Sequence, residues 1–252
     1  MGTPSLAIGV DVGGSSIKCA SVDLATGRFV GERHAATTPA QDSIDALLGA
    51  IAAVVSGEPP DHPIGLAFPS VISQGIVRTA AHLNQAWIGQ PLGKLATDRL
   101  HRSVTAINDA DAAGLAEVCY GAARDEPGTV LLLTLGTGIG SALFVHGRLV
   151  PNTELGHLQV DGREAELRAA PRVKVEESLS WDAWAGELNR VLKEYQALLW
   201  PDLIVLTGGI TEEPERFLDK LVCRAPLRLG TLRADAGIVG AALATTLAAA
   251  TA

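Results

Sequence analysis

Apolar residues come in short runs broken by glycine through the first part of the chain. Leu6 to Val12 reads as a strand, Gly13 to Ser16 as a turn, and Ile17 to Leu24 as a second strand that ends in the hairpin-like "ATGR" of residues 25–28. Residues 32–41 continue extended. The period then changes, and between Gln41 and Ser56 the residues Ile44, Leu47, Leu48, Ile51 and Val54 share one helical face. Beyond the loop "GEPPDHP" lie a short buried strand, "IGLAFPS", and the apolar "GIVRTA". "SVTAIND" is a further buried strand that stops at Asn108 and Asp109, and "ADAAGLAEVCYG" continues as a helix.

The opening plan recurs from Thr129 to Val150, where an apolar strand, a Gly-Thr-Gly turn and a second strand end at "HGR". The recurrence points to two halves of similar topology, each opening with a strand, a glycine turn and a strand. Ser180 to Leu199 has helical spacing with Trp184, Leu188, Val191, Leu192 and Tyr195 inward, "DLIVLTGGIT" is a strand that stops in a glycine turn, and "AGIVGAALATTLAA" is a closing helix. The expected boundary lies near Asn108. Residues 1–107, with the closing helix at about 237–252, form a smaller N-terminal α/β domain, and residues 108–236 a larger C-terminal one.

A chain of 252 residues is long enough for each half to bury a core. Its formal net charge of −8 argues against a general nucleic-acid binder, since no basic arm is present to neutralise a run of phosphates. Cys19, Cys119 and Cys223 are far apart and odd in number, which suits reduced thiols in a cytoplasmic protein and lacks the paired spacing of a zinc site. The opening "MGTPSLAIGV" has no basic segment followed by a long apolar one, and the alanine-rich end is short for a membrane span. A cytoplasmic protein without a membrane partner is expected.

The two glycine turns are candidates for anion binding, because glycine permits positive φ and lets a ligand approach successive N–H groups. Gly13, Gly14, Ser15 and Ser16 form the first, and Gly136, Thr137, Gly138 and Gly140 the second. Either turn taken singly reads equally well as a plain hairpin. Asp11, at the end of a buried strand beside the first turn, suits a Mg²⁺ held directly or through water, or else an Asx-type turn. Lys18 is either a point charge for the same phosphate or a solvated strand residue. Asp109 is placed to accept a proton from a substrate hydroxyl and Asn108 to orient a sugar, while an N-cap role is compatible with both. Residues 152–166 are dense in groups suited to polyol recognition: Glu154, His157, Asp161, Glu164 and Glu166. For Asp161 and Glu164 the preferred reading is a solvated helix start. A histidine such as His157, taken alone, is more often structural than a ligand.

Taken together, "GVDVGGSSIK", "INDADAAGLAE", "LTLGTGIGSALF", "PNTELGHL" and "LTGGI" resemble, in order and spacing, the ROK (repressor, open reading frame, kinase) family of sugar kinases. That family belongs to the superfamily of hexokinases, actin and the chaperone ATPases. The resemblance covers nearly the whole chain and implies a two-domain, actin-like or hexokinase-like ATPase fold built from duplicated ribonuclease H-like halves. Within the family the short length, the wording around "GTGIGSALF" and "PNTELGHL", and "AWIG" at residues 86–89 are most similar to actinobacterial polyphosphate glucokinases. Such enzymes phosphorylate the 6-hydroxyl of glucose, some also of mannose, from inorganic polyphosphate and often ATP.

The resemblance implies that Asp109 is the general base and that Asn108, Glu154, His157 and Glu166 bind the sugar. Gly13, Gly14, Ser15 and Lys18 fall in the first phosphate motif, Thr137 and Gly138 in the second. Gly208 and Gly209 fall where ATP-using relatives meet the nucleotide, Asp11 near Mg²⁺, and the assembly implied is a homodimer. Residues 161–173 carry no cysteine where many ROK proteins bind zinc, so zinc is not expected. No helix-turn-helix precedes the first strand, which disfavours the repressor branch. Where similar enzymes carry asparagine and aspartate ahead of "AWIG", this chain has His82 and Asn84, which implies an altered sugar cleft rim. Polyphosphate calls for a basic track, for which Lys18, Arg78, Arg102, Arg168, Arg172 and Lys174 are the candidates. Two alternatives stand beside this reading: a glucokinase or mannokinase that uses ATP alone, and a non-catalytic sugar-binding relative.

Overall fold

The computed structural model describes residues 5–39, 43–81 and 83–249. The chain divides into two compact units, Met1–Ala116 with Asp235–Ala252, and Glu117–Ala234.

In the first unit, β1 (Leu6–Val12), β2 (Ser16–Asp23) and β3 (Arg28–Thr37) form an antiparallel meander. It is followed by α1 (Ile44–Val55), capped by Ser43 Oγ, which accepts from the Ala46 N–H at 3.1 Å. Next come β4 (Ile64–Phe68), a small hairpin of β5 (Ile72–Ser73) and β6 (Ile76–Val77), α2 (Leu92–Leu100) and β7 (Val104–Asn108). The sheet order is β3-β2-β1-β4-β7, with β1, β4 and β7 parallel. Ile8, Val10, Leu66 and Phe68 point to the face where Leu47, Leu48 and Ile51 of α1 complete the core. Alternate positions, Gly9 and Gly65, face the other way.

After α3 (Asp109–Tyr120) the second unit repeats the scheme. Its strands are β8 (Thr129–Leu135), β9 (Ile139–Val145), β10 (Arg148–Val150), the small hairpin of β11 (Gln159–Val160) and β12 (Arg163–Glu164), then β13 (Leu203–Thr207) and β14 (Leu227–Leu229). The main sheet runs β10-β9-β8-β13-β14, the same order and the same mixture of antiparallel and parallel neighbours as in the first unit. Helices α4 (Ala165–Ala169), α5 (Pro171–Glu176) and α6 (Trp181–Leu199) complete it. On α6 the inward stripe of Trp184, Leu188, Val191, Leu192 and Tyr195 is fully buried against Leu131, Leu133, Ile204 and Leu206.

The closing helix α7 (Ala236–Ala249) returns to the first unit and lies on β1, β4 and β7. A Cβ on Gly9 would stand 1.8 Å from the Ile238 carbonyl oxygen, and one on Gly65 1.6 Å from that of Ala241, so the helix rests on strand backbone. Helix and sheet approach this closely only because both strands carry glycine there.

The unit boundary was expected near Asn108 and falls after Ala116, which leaves Asn108 and Asp109 in the first unit. The reason is local. A Cβ on Gly240 of α7 would stand 1.6 Å from the Ala112 carbonyl oxygen, so the first turns of α3 are packed with α7, whereas the Glu117 carboxylate accepts from Ala122, Thr231 and Leu232. Gln41, the expected start of the first helix, and residues 250–252 of the closing one lie outside the described residues, as does His82. The mixed segment of α2 and the three-residue β14 were not expected from the pattern.

Candidate functional site

The parallel strands of the first unit finish side by side, Asp11 opposite Ala67 and Phe68 opposite Asn108. Candidate chemistry therefore collects at the carboxyl edge of this sheet, where open α/β folds place their ligands. Asp11 pairs in register with Lys18. Burial pushes its carboxyl above the ordinary range, and the Lys18 ammonium opposes that shift only in part. Beside it runs the first turn of α7: a Cβ on Gly237 would lie 2.8 Å from Asp11 Cγ. An anion at a helix N-terminus is favoured by the aligned peptide dipoles. A half-buried, poorly solvated carboxylate of this kind fits a hard divalent cation, which would replace the hydration that burial removes.

In the adjoining turn the Gly13 N–H donates to the Ser16 carbonyl at 3.0 Å. Thr38, the residue after β3, braces the turn, its hydroxyl donating to the Gly13 carbonyl at 2.7 Å and its N–H to that of Ser15 at 3.1 Å. Thr38 gave no signal in the sequence. Positive φ, expected of these glycines, is absent at Gly13, Gly14 and Gly136 and occurs at Gly208 (φ 102°). What Gly14, Gly136 and Gly209 provide instead is room, with nothing within 4 Å of where a Cβ would stand.

Asn108 is buried and tied at both ends of its amide: Nδ2 donates to the Ser70 carbonyl at 3.1 Å, and Oδ1 accepts from the Asp111 N–H at 3.0 Å. The second bond caps α3. Asp109 is half-buried, with Oδ1 accepting from the Ala110 N–H at 2.8 Å. Asn84 also acts as a cap, accepting from the Ala86 N–H at 2.8 Å, and Trp87 of "AWIG" is fully buried at 5.1 Å from the Phe68 ring.

The second unit presents a matching edge. Thr134 stands opposite both Gly140 and Thr207, so the β8–β9 turn and the end of β13 lie together. Within the turn the Gly136 N–H donates to the Gly138 carbonyl at 3.1 Å, and Gly136 and Thr137 are exposed. Gly208 is required by geometry, since a Cβ there would stand 2.2 Å from the Leu135 carbonyl oxygen.

On the same unit, the segment leading to His157 is fastened to β9. Ser141 Oγ donates to the Thr153 carbonyl and accepts from the Leu155 N–H at 3.1 Å, while Tyr195 Oη donates to the Leu155 carbonyl at 2.7 Å. His157 Nδ1 donates to Glu164 Oε2 at 3.0 Å, and its Nε2 lies 3.7 Å from Glu154. The Glu164 bond, helped by the charges of Glu166, Glu164 and Glu154, raises the imidazole pKa above its ordinary 6.5 against a smaller opposing effect of burial. Ligand atoms of His157, Glu164 and Glu166 fall within 4.8 Å of one another, with Glu166 buried on α4. Glu164, read from sequence as a solvated acid, is thus the partner that orients His157. Asp161 turns instead to Arg190 at 3.3 Å.

Four of the six basic candidates, Arg102, Arg168, Arg172 and Lys174, are engaged within their own fold. Arg102 donates to the carbonyls of Pro59 and His62 at 2.6 Å, and Arg168 to the Val160 carbonyl and Glu187. Arg172 lies 3.8 Å from Glu176, and the Lys174 ammonium sits 4.3 Å from the Trp181 ring centroid.

Comparison with known proteins bears on this arrangement. The profile described as ROK family matches residues 7–174. A polyphosphate glucokinase of Mycobacterium tuberculosis (strain CDC 1551 / Oshkosh) is 45% identical over 237 residues, covering 94% of this chain and 89% of the relative. Among solved structures, the inorganic polyphosphate/ATP-glucomannokinase from Arthrobacter sp. strain KM superposes with a TM-score of 0.93 at 41% identity, covering 97% of this chain and 100% of that one. A ROK family glucokinase from Streptomyces griseus, in complex with glucose and AMPPNP, has a TM-score of 0.81 at 23% identity, covering 94% and 98% of the two chains, a likeness of fold.

Proposed function

The chain belongs to the ROK family and has its hexokinase-like ATPase fold, and on that footing we propose that it is a polyphosphate-dependent glucokinase. It transfers a phosphoryl group from inorganic polyphosphate, with ATP as a second donor, to the 6-hydroxyl of glucose. The observation that carries this reading is the 45% identity, across 94% of the chain, to a protein named for that activity.

The residues divide the work by chemistry. Asp109 accepts the proton of the 6-hydroxyl as that oxygen bonds to the terminal phosphorus of the donor, and the bond from phosphorus to the rest of the donor breaks. Asn108, with its amide already oriented by Ser70 and Asp111, holds a sugar hydroxyl. Glu154, His157 and Glu166 accept or donate to further hydroxyls, and Glu164 fixes the imidazole. The turn of Gly13 to Ser16, with Lys18, and the turn of Gly136, Thr137, Gly138 and Gly140 bind phosphate, while Gly208 and Gly209 serve the nucleotide when ATP is the donor. Asp11 would hold Mg²⁺, which when bound neutralises charge on the transferring group. The remaining contribution is positioning.

A second reading, a glucokinase or mannokinase that uses ATP alone, is favoured by one observation: Arg102 and Arg168 spend their guanidinium groups on their own fold. Among the described residues no helix is long and apolar enough to cross a membrane. We take the enzyme to be cytoplasmic and a homodimer, the latter to be checked by sedimentation equilibrium. The deciding test is a coupled assay for sugar 6-phosphate, with Mg²⁺ and either polyphosphate or ATP against glucose and mannose. Product from polyphosphate and glucose is expected. Product from ATP alone would install the second reading, and none from any pairing would leave a sugar-binding relative without activity.

A further inference from the structure

Glu117 lies on α3 with no exposure to solvent. A carboxylate withdrawn to that depth must be met by donors, and four meet it. Oε2 accepts from the N–H groups of Ala122 and Thr231 at 2.8 and 3.1 Å and from the Thr231 hydroxyl at 3.4 Å, and Oε1 accepts from the Leu232 N–H at 2.9 Å. The acid thus ties the turn after α3 to the segment after β14.

Where that segment leads is the informative part. A Cβ on Gly230 would stand 2.8 Å from Glu117 Oε1, and 3.1 and 3.2 Å from Cβ and Oγ1 of Thr207, and the Gly230 N–H donates to the Leu206 carbonyl at 2.8 Å. Thr207 is buried and ends β13. The next residue, Gly208, is pressed against Leu135, which ends β8 and opens into the Gly136 turn. The series Glu117, Gly230, Thr207, Gly208, Leu135 therefore runs through close backbone and side-chain contacts from one buried charge to both glycine turns of this unit. Packing this tight passes on a displacement instead of absorbing it. The sugar-recognition segment is fastened elsewhere, to Ser141 and Tyr195.

We infer that Glu117 is a positioning residue for the phosphoryl donor: its carboxylate fixes residues 230–232 against β13, and through them sets the Gly136 to Gly138 turn and Gly208 and Gly209 at the spacing that the donor's phosphates require. The inference rests on the donor role proposed above for those turns. A purely structural acid would instead affect stability alone.

The test compares Glu117→Gln, Gly230→Ala and Thr137→Val with the wild type, using tripolyphosphate and ATP as donors and glucose as acceptor. Thermal melts and calorimetric binding of AMPPNP are recorded in parallel. Glu117→Gln keeps the shape and removes the charge, and is expected to raise KM for both donors about tenfold and weaken AMPPNP to match. The glucose KM should stay within about twofold. Gly230→Ala, which crowds Thr207 and the carboxylate from the other side, is expected to do the same and carries the test should Glu117→Gln not fold. A lowered Tm with unchanged donor KM and AMPPNP affinity, while Thr137→Val raises donor KM, overturns the inference and leaves the donor turns standing. An unchanged donor KM in Thr137→Val overturns the reading of the turns and the inference with it.

Discussion

The two glycine turns are built alike and charged differently. Each joins an antiparallel pair beside a parallel strand, in sheets of the same order, and each is closed by a backbone bond from its first glycine, Gly13 to Ser16 and Gly136 to Gly138. One residue before the strand end, however, the first unit has Asp11 opposite Lys18, while the second has Thr134 opposite Gly140. A duplicated backbone has therefore been given a charge pair on one side and uncharged groups on the other. Charge is costly to keep at a strand end, and the first unit bears that cost with a helix N-terminus beside the carboxylate. Under the function proposed above, the contrast is what a cation handled by the first unit and uncharged phosphate contacts in the second would require.

Four measurements break or sharpen that contrast. The largest effect is expected from Asp109→Asn, which should lower kcat by about a thousandfold while leaving glucose affinity, by calorimetry, within about twofold. Near-normal turnover would remove the base from the first unit. Next, Asp11→Asn should weaken Mn²⁺ binding, followed by electron paramagnetic resonance, by about a hundredfold. Because burial raises the Asp11 pKa, a proton competes with the metal, so wild-type Mn²⁺ affinity should fall as pH drops through that raised value and level off above it. Thr134→Val, the matching change in the second unit, should leave Mn²⁺ affinity where it was, and an equal loss would erase the asymmetry.

Gly237→Ala comes third. Its methyl group would enter the space of the Asp11 carboxylate, and Mn²⁺ affinity should drop about tenfold with the fold intact by circular dichroism. The smallest effect is expected from Glu164→Gln. In the wild type the His157 pKa is raised, so its contribution to stability is complete below the unfolded value of 6.5 and is lost as pH rises through the folded one. Removing the Glu164 charge should lower the His157 pKa in an NMR titration and shrink that pH-dependent contribution, which solvent screening keeps under about 1 kcal/mol. An unchanged titration would detach Glu164 from the imidazole.

Much of this was legible in the sequence because it is local. Strands with period-two apolar runs, glycine turns and the α6 stripe from Trp184 to Tyr195 depend on neighbours a few residues away. The carboxylates at strand ends, Asp11 and Asp109, stand out for the same reason. What escaped depends on residues far along the chain. Glu117 looks like an ordinary helical acid until its donors at Thr231 and Leu232, separated from it by 114 and 115 positions, are in place. Arg102 and Arg168 look like free cations because the carbonyls that occupy them, at Pro59, His62 and Val160, carry no side-chain signal. The boundary expected near Asn108 moved into α3 because Ala112 is packed by a helix read more than a hundred residues later.

The closing helix has a consequence for biosynthesis. The second unit is one continuous stretch, but the first is completed by α7, laid directly on the backbones of Gly9 and Gly65. On the ribosome, β1 and β4 must wait with that face uncovered until the whole second unit has been translated. Asp11, whose flank is closed by Gly237, reaches its final surroundings only when the helix arrives.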